Sequence, residues 1–167
     1  MLECSRLKKS YHGKFVVNDL SFSVKEGEIF AFLGSNGAGK TTTIKMILGL
    51  ISQDSGAIHV KENISIGYSP ETPFFPPFLT GYEALEYYAK VQKLPKEGRS
   101  EMLEGLLNQV GLEKNKTKVK HYSKGMLQRL ALAQALLGNP ELLILDEPIN
   151  GLDTDGMRIM RDILVIR

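Results

Sequence analysis

Short apolar runs of strand length dominate the N-terminal part of this chain. Val16-Val17 and Leu20–Val24 predict strands around small turns. Ile29–Leu33 predicts a buried strand, and the stretch that follows from Thr42 to Leu48 predicts a helix. Two more strands are expected, one in the region that starts at Asp54 and one over Ile64–Tyr68.

Apolar residues at helical spacing replace this strand pattern from Gly81 to about Val110. The elements predicted after it are a helix from about Gly125 to Leu137, a fully apolar strand at Leu142–Leu145 and a last helix from near Thr154. Strands, a helical insertion and then a buried strand predict an α/β fold, in which a helical lobe interrupts a parallel core sheet.

The pattern G-x-x-x-x-G-K-[ST] lies between the Ile29–Leu33 run and the first predicted helix. This phosphate loop consists of Gly34, Ser35, Asn36, Gly37, Ala38, Gly39, Lys40 and Thr41, and we expect the next residue, Thr42, to bind the nucleotide as well. Glycines let backbone N–H groups approach phosphate oxygens, and a helix N-terminus favours an anion. Lys40 would reach the β- and γ-phosphates of a nucleotide, and the Thr41 hydroxyl would complete the shell of Mg²⁺. The alternative is a glycine-rich turn with an ordinary surface lysine.

The composition of the chain excludes several classes of protein. Its 167 residues suit one domain, and 21 basic against 19 acidic residues give no electrostatic reason to expect nucleic acid as a partner. The single cysteine, Cys4, excludes an intramolecular disulfide and suits a reducing compartment. No apolar run is long enough to cross a bilayer, so membrane contact is expected only through a partner.

Two carboxylates, Asp146 and Glu147, follow directly after the apolar strand Leu142–Leu145. In open α/β sheets, ligands bind at the carboxyl ends of the strands. Asp146 is the better candidate for holding Mg²⁺, usually through water. Glu147 would accept a hydrogen bond from an attacking water. The alternative is a strand that simply ends in solvated acids.

The stretch around these carboxylates resembles a known family. It resembles the run from the signature motif to the D-loop in ATP-binding subunits of ABC transporters. The matching segments are Tyr122–Arg129 with the helix that follows, Leu142–Pro148, and Asn150–Asp153. The usual L-S-G-G-Q signature is changed at three positions, including Lys124 and Met126. The Ser-Lys-Gly-Met version is similar to that of the ATPases of ABC-2-type exporters.

The resemblance implies a fold for the whole chain. It is the P-loop NTPase fold of ABC type, with a mostly parallel core sheet, an N-terminal antiparallel β lobe and an inserted helical lobe. Residues 1–167 would form a single ATP-binding domain. Residues 1–72 and 138–167 would make its core lobe, and residues 80–137, with the signature motif, its helical lobe.

The resemblance also implies roles for residues outside the phosphate loop. Ser123 and Gly125 would touch the γ-phosphate of a nucleotide held by the opposite subunit, and Asp153 of the D-loop would join them. Tyr11 matches the aromatic residue that stacks on adenine, although it could be one more strand aromatic. Glu71 stands where most members have the Q-loop glutamine. As a carboxylate it could still bind Mg²⁺ or orient the attacking water.

Three phenylalanines lie in the proline-rich segment Thr72–Thr80. If they are buried, they pack under a stiff turn, and if they are exposed, they form an apolar patch that suits a partner. In the family this neighbourhood meets the coupling helix of the membrane subunit, and this favours an integral membrane permease as the partner.

Related ATPases continue beyond the point where this sequence stops. Their next strand ends in the switch histidine of the H-loop, whereas no histidine follows His121 here. By family topology, that strand lies between the phosphate-loop strand and the Asp146 strand. We therefore expect a C-terminally truncated domain that lacks core strands and hydrolyses ATP poorly.

The predicted function is that of an ATP-binding and ATP-hydrolysing subunit that energises an ABC transporter, an exporter by its signature. It would pair head to tail with a second ATP-binding subunit, identical or different, around two MgATP. It would lie at the cytoplasmic face of the cell membrane. Two alternatives stay open. One is a truncated remnant that binds nucleotide without hydrolysing it, and the other is a soluble ABC ATPase without a role in transport.

Overall fold

The computed structural model describes residues 1–166. These residues form two compact units, Met1–Asn63 and a second unit that begins at Ile64. Arg167, the last residue of the predicted core lobe, lies outside the described residues. The expected division into a core lobe and a helical lobe stays a prediction.

The first unit is built on a three-stranded antiparallel sheet with the strand order β2-β1-β3. Its elements are β1 (Leu2–Tyr11), β2 (Lys14–Val24), α1 (Lys40–Ile47) and β3 (Ser55–Val60). Its core consists of the buried side chains of Leu2, Cys4, Leu7, Val17, Val24 and Met46. Burial, and next the charge of Glu3, raises the pKa of the Cys4 thiol to about 11. The thiol therefore stays protonated at neutral pH and is a poor nucleophile.

The β1–β2 hairpin turns at His12 and Gly13, which have positive φ angles of 51° and 77°. Two such residues are typical of the tight type I′ turn, whose twist matches that of the flanking strands. Val16 is an extra residue in β2, because Lys9 pairs with Val17 while Ser10 pairs with Phe15. This arrangement is a β-bulge.

The prediction of two separate strands in this region was wrong. Val16-Val17 and Leu20–Val24 belong to the single strand β2. The apolar residues alternate irregularly because β2 contains the bulge at Val16 and further shifts of register. This irregularity had indicated small turns.

The apolar run Ile29–Leu33 forms no strand, and its first and last residues are 70% and 88% exposed. No strand of residues 1–166 pairs with it. The prediction of a buried strand here was wrong, because a strand is stabilised by ladder hydrogen bonds to a neighbour as well as by apolar side chains. Phe30 and Phe32 instead pack on Phe22, with ring centroids 5.1 and 5.6 Å away.

The second unit combines helices with a two-stranded parallel sheet. Its elements are β4 (Ile66–Ser69), α2 (Gly81–Val91), α3 (Arg99–Gln109), a 3-10 turn (Val119–His121), α4 (Lys124–Ala135), β5 (Leu142–Leu145) and α5 (Thr154–Ile166). β4 pairs with β5 from Ile66↔Leu142 to Ser69↔Leu145. β4 therefore begins two residues later than predicted, whereas the predicted β5 is confirmed.

Apolar faces of α2, α3 and α4 form the core of the second unit. Leu85, Leu103, Leu107 and Leu130 are fully buried there. A capping box starts α2, in which the Thr80 hydroxyl accepts from the Glu83 N–H and the Glu83 carboxylate accepts from the Thr80 N–H. None of the helices in residues 1–166 has the length and apolar content needed to span a membrane.

Candidate functional site

The phosphate-loop segment closes around the side chain of Lys40. The Lys40 ammonium donates to the carbonyl oxygens of Gly34, at 2.8 Å, and Ser35, at 3.2 Å. The Ala38 N–H donates to the same Ser35 oxygen at 3.1 Å, which tightens the turn. The cation is thereby held beside the backbone that would surround a phosphate group.

Gly39 ends the loop immediately before α1 and fits where no other residue would. Its φ is 88°, in the left-handed region that favours glycine. A Cβ atom on Gly39 would lie 2.5 Å from the carbonyl oxygen of Val16 and 3.0 Å from Cγ2 of Val17. Gly37 also has positive φ, 81°, but no atom lies within 4 Å of its Cβ position. The loop is therefore seated on β2 at the Val16 bulge.

Thr43 is a residue that the sequence analysis missed. It is buried, and its hydroxyl and its N–H both donate to the carbonyl oxygen of Gly39, at 2.9 and 2.8 Å. These bonds fix the first turn of α1 against the loop. A threonine four residues after a loop glycine is the signal that could have identified it. Thr41, the predicted magnesium ligand, and Thr42, a predicted nucleotide-binding residue, are half-buried in the same turn.

Asp146 lies directly after β5, as the sequence predicted. It is only 2% exposed, and its N–H donates to the Ser69 carbonyl of β4 at 2.9 Å. One carboxylate oxygen, Oδ2, is buried without a hydrogen-bond partner. Burial, and next the negative charge of Asp146, raises the pKa of Tyr68.

A buried carboxylate oxygen without a protein partner fits a ligand of Mg²⁺. This cation is usually held by one or two carboxylates together with water and phosphate oxygens. In the described part of the chain, no three His, Cys, Asp or Glu side chains are grouped so that they could hold a metal. Asp146 thus offers one carboxylate oxygen that could bind Mg²⁺.

Glu147 adopts a conformation that is uncommon for its residue type. Its φ is 50°, and the turn is closed by the Asn150 N–H, which donates to the Glu147 carbonyl at 3.0 Å. Non-glycine residues in this region carry a conformational cost and are concentrated at functional sites. Glu147 therefore leaves β5 through a left-handed turn.

The signature motif and the D-loop lie together within the second unit. The Lys124 ammonium donates to Oδ1 of Asn150 at 3.1 Å. A Cβ atom on Gly125 would lie 3.0 Å from the Gly151 carbonyl oxygen. Ser123 caps α4, and its hydroxyl accepts from the Met126 N–H at 3.2 Å.

The remaining predicted site residues are Asp153, Glu71 and Tyr11. The Asp153 carboxylate accepts from the Gly156 N–H at 2.8 Å and so caps α5. Glu71 is exposed after β4. Tyr11 is 45% exposed at the end of β1, and the Lys9 ammonium lies over its ring, 5.5 Å from the centroid.

The phenylalanines of Thr72–Thr80 divide between the two interpretations. Phe75 is buried in the core of the second unit, where its ring meets Tyr88 edge to face at a centroid distance of 6.0 Å. Phe74 and Phe78 are 81% and 68% exposed. Phe75 therefore supports the turn, whereas the rings of Phe74 and Phe78 are exposed.

A family model described as "ABC transporter" matches residues 17–150. The chain belongs to the ABC transporter family. It is 44% identical over 175 residues to "Uncharacterized ABC transporter ATP-binding protein YhcH" of Bacillus subtilis, covering 97% of this chain and 56% of that protein. It is 45% identical over 176 residues to "Bacitracin transport ATP-binding protein BcrA" of Enterococcus faecalis, covering 98% and 56%. The chain thus spans about half the length of these curated relatives.

Solved structures of the family have the same fold. The chain superposes on "Structure of ATP binding subunit of ABC transporter" with a TM-score of 0.85 at 35% identity, covering 96% of this chain and 72% of that one. It also matches the dimeric ABC transporter cassette MJ0796 with a TM-score of 0.85 at 22% identity, covering 99% and 84%, and this likeness concerns the fold alone. The predicted P-loop NTPase fold of ABC type is confirmed.

Proposed function

We propose that this ABC transporter family chain binds MgATP and hydrolyses it to drive an exporter. The observation that carries the proposal is the phosphate loop, in which Gly39 is packed on Val16 and the Lys40 ammonium is held by loop carbonyls. A loop built in this way presents a cation and a helix N-terminus to the phosphates of a nucleotide.

The other site residues bind magnesium, activate water and bind the adenine base in this proposal. Thr41 and Asp146 are the proposed magnesium ligands, with Glu71 as a further candidate. Glu147 accepts a proton or hydrogen bond from the attacking water, and Glu71 helps to orient that water. Tyr11 stacks on the adenine ring. Magnesium, when bound with ATP, neutralises part of the charge that develops on the phosphates during transfer.

A second ATP-binding subunit completes the proposed site. Ser123, Gly125 and Asp153 would face the nucleotide bound by that subunit, in a head-to-tail dimer of identical or different chains. Two observations support this assignment. Ser123 is exposed at the N-terminus of α4, and the D-loop is held to the same helix by the Lys124–Asn150 hydrogen bond.

The proposed membrane partner is an integral permease subunit, which would bring the chain to the cytoplasmic face of the membrane. Phe74 and Phe78 supply exposed apolar rings suited to such a contact. The names of two relatives support export. One is a bacitracin transport protein, and the other is "Linearmycin resistance ATP-binding protein LnrL" of Bacillus subtilis, which is 41% identical over 164 residues.

A second candidate function is nucleotide binding without hydrolysis. The observation in its favour is the exposed run Ile29–Leu33, which enters the phosphate loop without a strand partner among residues 1–166. A loop whose leading segment lacks sheet support could bind phosphates yet position them too loosely for phosphoryl transfer. Turnover measured on the purified chain separates this candidate from the first.

The dimer is tested by changing the charge at Ser123 while keeping its helix cap. We expect Ser123→Asp, in a Glu147→Gln background that retains ATP, to weaken ATP-induced dimerisation by at least about tenfold. A carboxylate placed against the partner's γ-phosphate repels it. Sedimentation velocity with and without MgATP measures the dimer.

The matched control is Ser123→Asn, since asparagine and aspartate cap helices about equally well and differ here only in charge. The Asn variant should dimerise more tightly than the Asp variant, and both should bind ATP as monomers like the parent. Equal dimerisation by the two variants would contradict the proposed role of Ser123.

A further inference from the structure

Asp54 is tied to the end of β1 by a dense set of contacts. Its carboxylate accepts from the Lys9 ammonium at 2.8 Å, from the Ser10 N–H at 2.7 Å and from the Ser10 hydroxyl at 2.8 Å. Its own N–H donates to the Lys8 carbonyl at 2.9 Å. A carboxylate with three donors and a backbone anchor is far more constrained than a typical surface ion pair.

The electrostatics of Asp54 agree with this geometry. The Lys9 hydrogen bond, followed by those from the Ser10 side chain and backbone, lowers the pKa of Asp54 to about 2. The carboxylate is therefore ionised throughout the range in which nucleotide binding is measured. The Lys9 side chain is only 17% exposed and is held between Asp54 and the neighbouring aromatic ring.

That neighbouring ring is the candidate adenine platform, Tyr11. Residues Lys9 and Tyr11 are two apart on β1, and alternate residues of a strand share a face. The Lys9 ammonium lies over the ring, 5.5 Å from its centroid, which is a cation–π contact. Almost half of the Tyr11 surface is still open to solvent, so the ring can accept a base.

The same end of the hairpin also carries the phosphate loop. Ser10, which Asp54 holds by two bonds, pairs with Phe15, and the bulged residue Val16 comes next on β2. The carbonyl oxygen of Val16 is the atom that approaches Gly39 most closely. Tyr11 pairs with Lys14, two positions before Val16, so the ring and the residue that contacts the loop belong to the same hairpin end.

We propose that Asp54 is a positioning residue for the nucleotide base, which it orients by fixing Lys9 and Ser10 so that Tyr11 keeps a set place relative to the phosphate loop. This inference rests on the proposed binding of ATP. Asp54 itself touches no part of the nucleotide. Its effect passes through the Lys9 contact with the ring and through the Ser10 contacts beside the bulge.

The test compares two ligands that share phosphates but differ in the base. Isothermal titration calorimetry of the full chain with Mg²⁺ measures binding of ATP and of inorganic tripolyphosphate. We expect Asp54→Ala to weaken ATP binding by about five- to tenfold, because the stacking of a base on an aromatic ring depends on how the ring is placed. Tripolyphosphate binding should change by less than about twofold.

Further variants make the test independent of a folding defect. Lys9→Met keeps most of the packing of the side-chain stem but removes the ammonium. It should weaken the binding of ATP by about two- to fivefold and leave the binding of tripolyphosphate unchanged. Glu3→Ala, which removes an exposed carboxylate from the same strand, should change neither ligand. The double variant Asp54→Ala/Tyr11→Ala should bind ATP with the same affinity as Tyr11→Ala. Once the Tyr11 ring is removed, the contacts of Asp54 have no ring to position.

Parallel weakening of ATP and tripolyphosphate by Asp54→Ala would overturn the inference and leave Asp54 a purely structural role. Additive effects of Asp54→Ala and Tyr11→Ala would overturn it as well. If the unchanged chain binds neither ATP nor tripolyphosphate, the proposed function is overturned. If Asp54→Ala binds ATP as tightly as the unchanged chain, only the positioning role of Asp54 is overturned.

Discussion

Replacing Glu147 by glutamine is expected to lower ATP turnover by about 10²–10⁴ while ATP binding persists. Glutamine has nearly the same shape, so the backbone at φ 50° and the turn closed by Asn150 can be kept. The amide cannot take a proton from the attacking water. The magnesium ligand proposed for the neighbouring position, Asp146, is untouched by the change.

The matched control for Glu147→Gln is the same change at a glutamate elsewhere in the chain. Glu113→Gln alters an exposed glutamate after α3 and should leave turnover as it is. Steady-state release of phosphate measures the rate, and equilibrium binding of ATP is measured on the same samples. Turnover by Glu147→Gln equal to that of the unchanged chain would remove Glu147 from its proposed role.

Replacing Gly39 by alanine is expected to damage both the fold of the first unit and the binding of ATP. The added Cβ would lie 2.5 Å from the Val16 carbonyl oxygen, so the loop or β2 must move. Overpacking of this kind costs about 1–3 kcal/mol, and the left-handed backbone costs a non-glycine residue about 1–2 kcal/mol more. A displaced loop also misdirects N–H groups that would bond the charged phosphates. Losing one such bond lowers affinity by about 10- to 100-fold.

Gly37→Ala is the matched control for Gly39→Ala. Gly37 has a similar φ, 81°, but open space at its Cβ position, so its alanine variant carries only the backbone cost. Chemical denaturation measures stability and calorimetry measures ATP affinity. Equal losses for the two variants would show that the contact with Val16 does not hold the loop.

The elements that the sequence predicted well are those whose signals are local. Leu142–Leu145 is a run of apolar residues that ends in two acids, and both β5 and the position of Asp146 follow from that pattern. The helices of the second unit follow from apolar residues at helical spacing. The phosphate loop is equally local, because its glycines, lysine and helix start are contiguous.

The errors occurred where structure depends on distant residues. Ile29–Leu33 has the composition of a strand, yet strand formation requires a neighbouring strand, which no local pattern supplies. The bulge at Val16 arises from the pairing of β1 with β2 and from the seat that it provides for Gly39. Asp54 contacts Lys9 across 45 positions of the chain, so its role could not be predicted from spacing.

We infer that the phosphate loop of this ABC transporter family chain binds MgATP. The most direct measurement is a calorimetric titration of MgATP into the unchanged chain, into Lys40→Met and into Lys45→Met. Lys45 is an exposed lysine on the same helix, α1, and controls for the loss of a positive charge. We expect saturable binding by the unchanged chain and by Lys45→Met, with affinity for Lys40→Met lower by at least about tenfold. No binding by the unchanged chain, or equal binding by Lys40→Met, would contradict the binding of MgATP by this loop.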